Sequence, residues 1–252
     1  MAVQPPKFLY DSRLKDATPV ASSTATGDFN VLNLRDFRPY TFWKPAALPA
    51  TVTVDSGTAR AVDYWGLWGH DLFTRGGTVE LRSSTDNFAA NDVLVDTLAP
   101  ASDKPFMRAV ASTSVRYWRL RFLNGTAPSV AIALLGVALV SQVGLRYGFD
   151  PLKRQVHGGY NRSVKGYPLG KVIEWREWSH EVELRFVTQT WLRSTFDPAW
   201  EAHLEHSPFV FQWDPGDHAS ELYLVQAGDK RDSDHESNNF AHLSIALSGV
   251  AQ

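Results

Sequence analysis

Eight histidines and one dense run of carboxylates are the residues with which this 252-residue sequence could do chemistry. His203 and His206 fall three apart on a predicted helix, with Glu201 and Glu205 beside them. Two histidines that share a zinc ion on one helix face sit four apart, so this spacing reads as a solvated face. His180, His218, His235 and His242 are spread over separate predicted strands and loops, without ligand spacing. Asp229, Asp232, Asp234 and Glu236 could chelate calcium from an extended loop. They lack the central glycine and terminal glutamate of a helix–loop–helix calcium site, and a polar loop is the default reading. Neither a Gly-x-Ser-x-Gly elbow nor a Gly-x-x-x-x-Gly-Lys phosphate cradle occurs. With no cysteine, thiolate chemistry, Cys-based zinc and disulfides are excluded. Two facing carboxylates could still cleave a glycoside, but sequence alone does not pair them. The expectation is a protein that is not an enzyme and uses no metal and no cofactor.

Binding suits the composition better. Nine Trp, eight Tyr and fourteen Phe can fill cores and also make adhesive surfaces. Hydrophobic residues at 44% and charged residues at 21% are those of a folded globular chain. The net charge is -2, with no Lys/Arg cluster dense enough for a phosphate-backbone footprint. Nucleic acid is therefore not an expected partner. The most apolar run, 130–140, is too short for a helix across a bilayer and contains Gly136, so no membrane span is expected. It reads as buried strand. The first residues carry no charged-then-apolar leader pattern, and synthesis in a reducing cytoplasm is expected.

The elements that must position these side chains are strands. Residues 1–48 are punctuated by Pro5, Pro6, Pro19, Pro39, Pro45 and Pro49 just beyond, and read as loops with one or two short strands. Residues 50–55 alternate, with Ser56-Gly57 as their end. An apolar, aromatic strand over 61–68 follows, then a turn at Gly76-Gly77 and an alternating strand over 78–82. Residues 83–111 read as a polar excursion with a short strand at 93–98, and 115–123 alternates sharply. Trp65 and Trp68 fall on opposite faces of their strand, one inward and one toward a partner. Glycines and prolines cluster over 144–170 with Arg146, Lys153, Arg154, Arg162 and Lys165, as a solvated linker with a meandering hairpin or as a basic arm that docks on a neighbour. A long strand over 172–188 opens a second domain. It continues with a helix over 197–206, where Asp197 caps and Pro198 suits the first turn. An aromatic strand 209–213, a turn at Asp214-Pro215-Gly216-Asp217 and strands 221–226 and 240–247 follow. Between the last two, 229–239 reads as an exposed loop. The fold class is all-β: a jelly-roll sandwich over 1–145, a Gly-rich basic linker or arm over 146–170, and a second β-rich sandwich- or barrel-like domain over 171–252 with one short helix.

Three segments carry a resemblance. They are Asn33-Leu34-Arg35-Asp36 with Thr41-Phe42-Trp43-Lys44-Pro45, then Gly69-His70-Asp71-Leu72, then Arg116-Tyr117-Trp118-Arg119-Leu120. In this order they resemble the discoidin, or coagulation factor 5/8 C-type, galactose-binding-like jelly roll over roughly the first 145 residues. The missing cysteines depart from its secreted animal branch and point to phage or bacterial variants. The second domain resembles the C-terminal part of tailed-phage minor tail or tail-tip proteins. Trp175-Arg176-Glu177-Trp178 and Phe209-Val210-Phe211-Gln212-Trp213-Asp214-Pro215 carry that likeness.

These resemblances imply a structural virion protein at the tail tip or baseplate, distal-tail-like and assembled as a homo-oligomeric ring. Its expected partners are the tail tube, the hub and the tape-measure neighbours, with a host surface glycan as a candidate. A free carbohydrate-binding or adhesion module is the alternative, and a β-sandwich hydrolase the third reading. Carbohydrate-binding candidates are Arg38, Trp43, His70 and Asp71. Trp43 reads first as a buried anchor of the sandwich, and His70 first as a residue that fixes its loop. Subunit-interface candidates are Trp68, Arg146, Tyr147, Arg154, Tyr160, Trp175 and Trp178.

Overall fold

The computed structural model describes residues 4–145 and 149–251. Among them thirteen strands run in chain order: β1 (Lys7–Leu9), β2 (Val20–Ala21), β3 (Ala50–His70), β4 (Thr78–Ser84), β5 (Val93–Leu98), β6 (Phe106–Leu123), β7 (Val130–Gly136), β8 (Leu139–Val140), β9 (Arg154–Arg162), β10 (Pro168–Thr188), β11 (Phe209–Gln212), β12 (Leu222–Ser237) and β13 (Phe240–Ala251). Helix is confined to α1 (Arg13–Asp16), a 3₁₀ turn (Val31–Arg35) and a helical segment over 189–204. The mostly β class expected from the sequence is the class found. The chain divides into two compact units, Leu9–Ala138 and Met1–Phe8 with Leu139–Gln252.

In the Leu9–Ala138 unit β3 and β6 run antiparallel along nearly their whole length. β3 carries β2 on its other edge near its start and β7 near its end. β4 pairs the last part of β6, and β5 pairs β4. Register shifts between Asp55 and Arg60 and between Val62 and Tyr64 bend the long pair in its middle. Trp65, beyond the bend, donates its indole N–H to Asp96 of β5 at 2.8 Å, and Arg108 of β6 reaches the same carboxylate at 2.6 Å. The sheet therefore curls until its edge meets its own far half, which closes a sandwich. Burial alone would raise the Asp96 carboxyl, but hydrogen bonds from Arg108 and Trp65 outweigh it and hold it below the ordinary range. The core contains Trp43, Trp65, Trp118 and Phe122, with Trp43 and Phe122 rings 5.2 Å apart. Every residue of β7 is buried, as a continuous apolar run demands. β6 begins at Phe106, earlier than its alternation predicts, because pairing with 61–67 of β3 satisfies the backbone whatever the side chains.

The other unit holds a seven-stranded sheet in the order β8-β1-β11-β12-β13-β10-β9. Phe8 lies 5.4–6.0 Å from Phe196, Phe209 and Phe211 in its core. A segment expected as loop is strand, and the hairpin expected within the linker is built from two longer strands than its composition shows. Residues 154–162 pair with β10, and the charged stretch beyond Gly228 belongs to β12 and pairs with β13. Their polar composition hides the strand because neighbouring backbone, not a buried face, holds them. The helical segment also starts earlier than expected, where Thr188 Oγ1 accepts the Trp191 N–H at 3.2 Å. It presents Phe196, Trp200 and Leu204 inward, and Arg231 lies over both aromatic rings while bonded to Asp197.

Candidate ligand-binding loops

β3 ends at His70 opposite Val130 of β7, and β4 begins at Thr78 opposite Leu123 of β6. The loops 71–77 and 124–129 thus leave the sandwich at one end. Residue Asp103 brings the 99–105 loop there too, because its Oδ1 accepts the backbone N–H of Phe73 at 2.8 Å and of Thr74 at 3.2 Å. Thr126 N donates to Arg75 O at 3.0 Å, and Ser129 N to Asp71 Oδ1 at 2.7 Å. Asp71 Oδ2 also takes Arg75 Nε at 3.0 Å. Gly125 has φ +63°, and a Cβ there would stand 1.9 Å from Arg75 O, so only glycine lets the two loops meet. Each such bond contributes about 1 kcal/mol. Together they fix one backbone conformation.

That conformation leaves Phe73 55% exposed while its neighbour Leu72 is wholly buried. A large apolar ring is held in water at the tip of a pinned loop, beside the Asp71–Arg75 ion pair. Burial would raise the Asp103 carboxyl, but the Thr74 hydroxyl and the two backbone N–H groups outweigh it and keep it low. His70 beneath the loop is 4% exposed. Burial pushes its pKa down against the pull of Asp103, a hydrogen bond with the Lys104 backbone and the pull of Asp71. The Phe106 ring meets it edge-on at 5.3 Å.

The sugar candidates named by sequence are not brought together. His70 and Asp71 belong to this loop end. Trp43 is fully buried and bridges Val130 through its backbone, so its ring has no face open to a ligand. Arg38 is exposed in a separate turn, where Asp36 accepts the Arg38 N–H at 2.9 Å and the Thr41 hydroxyl at 3.0 Å. An open depression of about 480 Å³, lined by Lys15, Leu32, Asn33, Arg35 and Asp36, lies by that turn. Sequence reasoning missed Phe73. Its only signal was a large apolar residue three positions before Gly76-Gly77, where alternation offers it no core face.

Of the interface candidates, Trp68 is wholly interior. Trp178 is too: its N–H goes to Pro151 O at 2.9 Å and its ring stacks on Tyr223 at 4.4 Å. Arg154, Tyr160 and Trp175 are exposed on β9 and β10. Arg146 and Tyr147 lie outside the described residues. A second open pocket, about 420 Å³, is lined by Phe149, Lys153, His180 and Glu181 among others. Among the described residues no group of three or more His, Cys, Asp or Glu is placed to hold a metal ion, and no helix is long and apolar enough to cross a membrane.

No protein-family model matches the sequence, and no curated protein matches it. Solved structures similar to part of the chain include chitosan-binding module 1 of a chitosanase/glucanase from Paenibacillus sp. IK-5. It has 16% identity and a TM-score of 0.44, over 50% of this chain and 99% of that one. CpGH89CBM32-5 from Clostridium perfringens, solved with GalNAc-β-1,3-galactose, has 16% identity and a TM-score of 0.44, over 51% and 99%. The CBM32 of AlyQ, solved with 4,5-unsaturated mannuronic acid, has 18% identity and a TM-score of 0.39, over 50% and 96%. What each of them binds is a property of that protein.

Proposed function

We propose that the Leu9–Ala138 unit binds carbohydrate through the loop end that displays Phe73, without turning it over. One observation carries this reading: an aromatic ring held out in solvent by a backbone clamp on Asp103, next to the charged pair Asp71–Arg75. A pyranose has an apolar C–H face rimmed by hydroxyls. It needs a flat ring to cover the face and fixed charged groups to meet the rim. A rigid scaffold that presents both on loops is suited to this task. A single stacked ring with a few hydrogen bonds gives a Kd on the order of 0.1–1 mM. The test is calorimetric titration with neutral, amino and uronic-acid oligosaccharides. Saturable binding to one class, lost in Phe73→Ala, supports the reading; heat from no class overturns it.

A second reading extends to the whole chain: a non-catalytic tail-tip or baseplate component of a tailed phage, with the sandwich turned to a host glycan and the other unit engaged in assembly. The exposed apolar ribbon formed by β9 and the start of β10 supports only the assembly part of this reading. Immunogold labelling of tailed particles tests it. Gold at the tail end supports the reading, and unlabelled tails overturn it.

A further inference from the structure

β10 changes partner half-way along. From Pro168 to Trp178 it pairs with β9, and from Trp178 to Thr188 it pairs with β13. The first half is therefore a two-stranded ribbon at the edge of the sheet, and its residues from 168 to 176 are exposed. A two-stranded hairpin alone is marginal in water. This one nevertheless carries Tyr160, Tyr167, Leu169, Val172, Ile173 and Trp175, each between 46% and 74% exposed. Its side chains are ordered against one another. His157 stacks on Trp175 at 4.7 Å and meets Glu177 at 3.0 Å, and Lys171 Nζ lies 4.9 Å from the Tyr160 ring. An ordered ribbon with this much exposed apolar surface is built to be covered.

Charge says by what. Residues 154–178 hold five Lys or Arg against two Glu, which leaves the rest of the chain with twenty basic and twenty-five acidic residues. The ribbon is thus positive and the remainder of its own chain negative. Its outer edge is the unpaired edge of β9, but β9 cannot pair with β9 of another copy on favourable terms. Antiparallel pairing about Gly158 would set Arg154 opposite the other copy's Arg162, like against like.

The complement lies at the opposite end of the same unit. There β12 and β13 turn, at roughly 3.3 Å per residue about 60 Å along β10 from the ribbon's own turn. Residues 229–239 carry four acidic against two basic residues, and Asp229, Asp232 and Asp234 are exposed. An aromatic knob stands at the Glu236 end of this stretch. Phe186 is 54% exposed at φ +61°, beside the bulge between Leu184 and Val187, and its N–H is held by Glu236 Oε2 at 3.1 Å. The bulge turns the Phe186 ring out of the sheet and into solvent.

We infer that the basic ribbon of one copy docks on the acidic Phe186 end of a second copy of this chain. The interface is head-to-tail, so a docked pair keeps one free ribbon and one free acidic end, and growth leads to a ring or a filament. This deepens the assembly reading above and is independent of the carbohydrate reading, because it uses only the second unit.

Sedimentation velocity of the full chain tests it, with circular dichroism as a check that each variant is folded. The wild type sediments as a concentration-dependent series of oligomers at low salt and shifts toward monomer as salt rises. A ribbon variant, Ile173→Glu with Trp175→Glu, and an acidic-end variant, Asp232→Lys with Asp234→Lys, are each monomeric alone. All four positions are exposed, so the fold survives. Mixed one to one, the two variants give a heterodimer and nothing larger, since one intact ribbon meets one intact acidic end. A wild type that is monomeric at every concentration overturns the inference. So do folded variants that still self-associate, or a mixture that stays monomeric. Self-association without tail labelling would leave the inference standing and remove only the phage location.

Discussion

β3 and β10 are each twenty-one residues long, and their fates differ. β3 has a partner on one edge for almost its full length, and its last seven residues are buried but for one. β10 has a core only over its second half, and its first nine residues stand in water. Within β10 the difference falls between two tryptophans three positions apart: Trp178 is sealed under Tyr223 and Phe211, whereas Trp175 is 54% exposed. Aromatic content therefore serves two purposes here. Where strands stack into a second layer it makes core, and where the ribbon runs past that layer it makes surface.

The sharpest way to break this comparison is to truncate both tryptophans. Trp178→Ala removes a fully buried ring and is expected to cost about 3–5 kcal/mol in urea unfolding of the second unit. Trp175→Ala is expected to cost less than about 0.5 kcal/mol in the monomer. Equal losses would show that the ribbon is part of the core. Next in size is Trp65→Phe, which keeps an aromatic ring but leaves Asp96 with one donor fewer where the curled sheet closes. A loss of about 1–3 kcal/mol is expected in the unfolding of the sandwich alone. If the second unit loses as much, the two units do not unfold separately.

A pH series sharpens the comparison further. The folded pKa of His70 is lowered by burial, so in acid the unfolded chain takes up its proton first. The stability this neutral histidine allows is complete above its ordinary value of 6.5 and is lost as pH falls from there toward the folded value. The step lies above the one from Asp96 and Asp103, whose lowered carboxyls cost stability only as pH falls below 3.8. In melts of the sandwich at pH 7.5 and 5.5, His70→Leu should remove most of the loss seen in the wild type. A variant as sensitive as the wild type would assign the step elsewhere; the lowered His180 of the second unit gives that unit a step of its own. The smallest effect belongs to Arg116→Ala on the outside of β6. Its pair with Asp55 is fully in solvent, and the melt should not move beyond its error.

Much of the sandwich was legible because its strands alternate. Residues 50–54 and 115–123 show one face buried and one wet, and the uniform apolar run at 130–136 is a strand buried on both sides. What was hidden has a common cause: neighbours far away in sequence. No local pattern tells Trp175 from Trp178, because their burial is decided by where Tyr223 and Phe211 lie. Nor does composition mark 229–237 as strand, since β13 supplies its hydrogen bonds and no core face is required. The loop end was half visible. Gly69-His70-Asp71-Leu72 drew attention to the right turn, yet the exposed ring is Phe73, and its clamp comes from Asp103, thirty residues on.

The central claim is that a pinned loop offers an aromatic ring to a sugar. Calorimetric titration of the full chain and of Phe73→Ala with the same oligosaccharides tests it most directly. The account predicts one saturable class for the wild type, at least tenfold weaker in Phe73→Ala and unchanged in the Ile173→Glu, Trp175→Glu variant. Binding that ignores Phe73, or that vanishes with the ribbon, would contradict it.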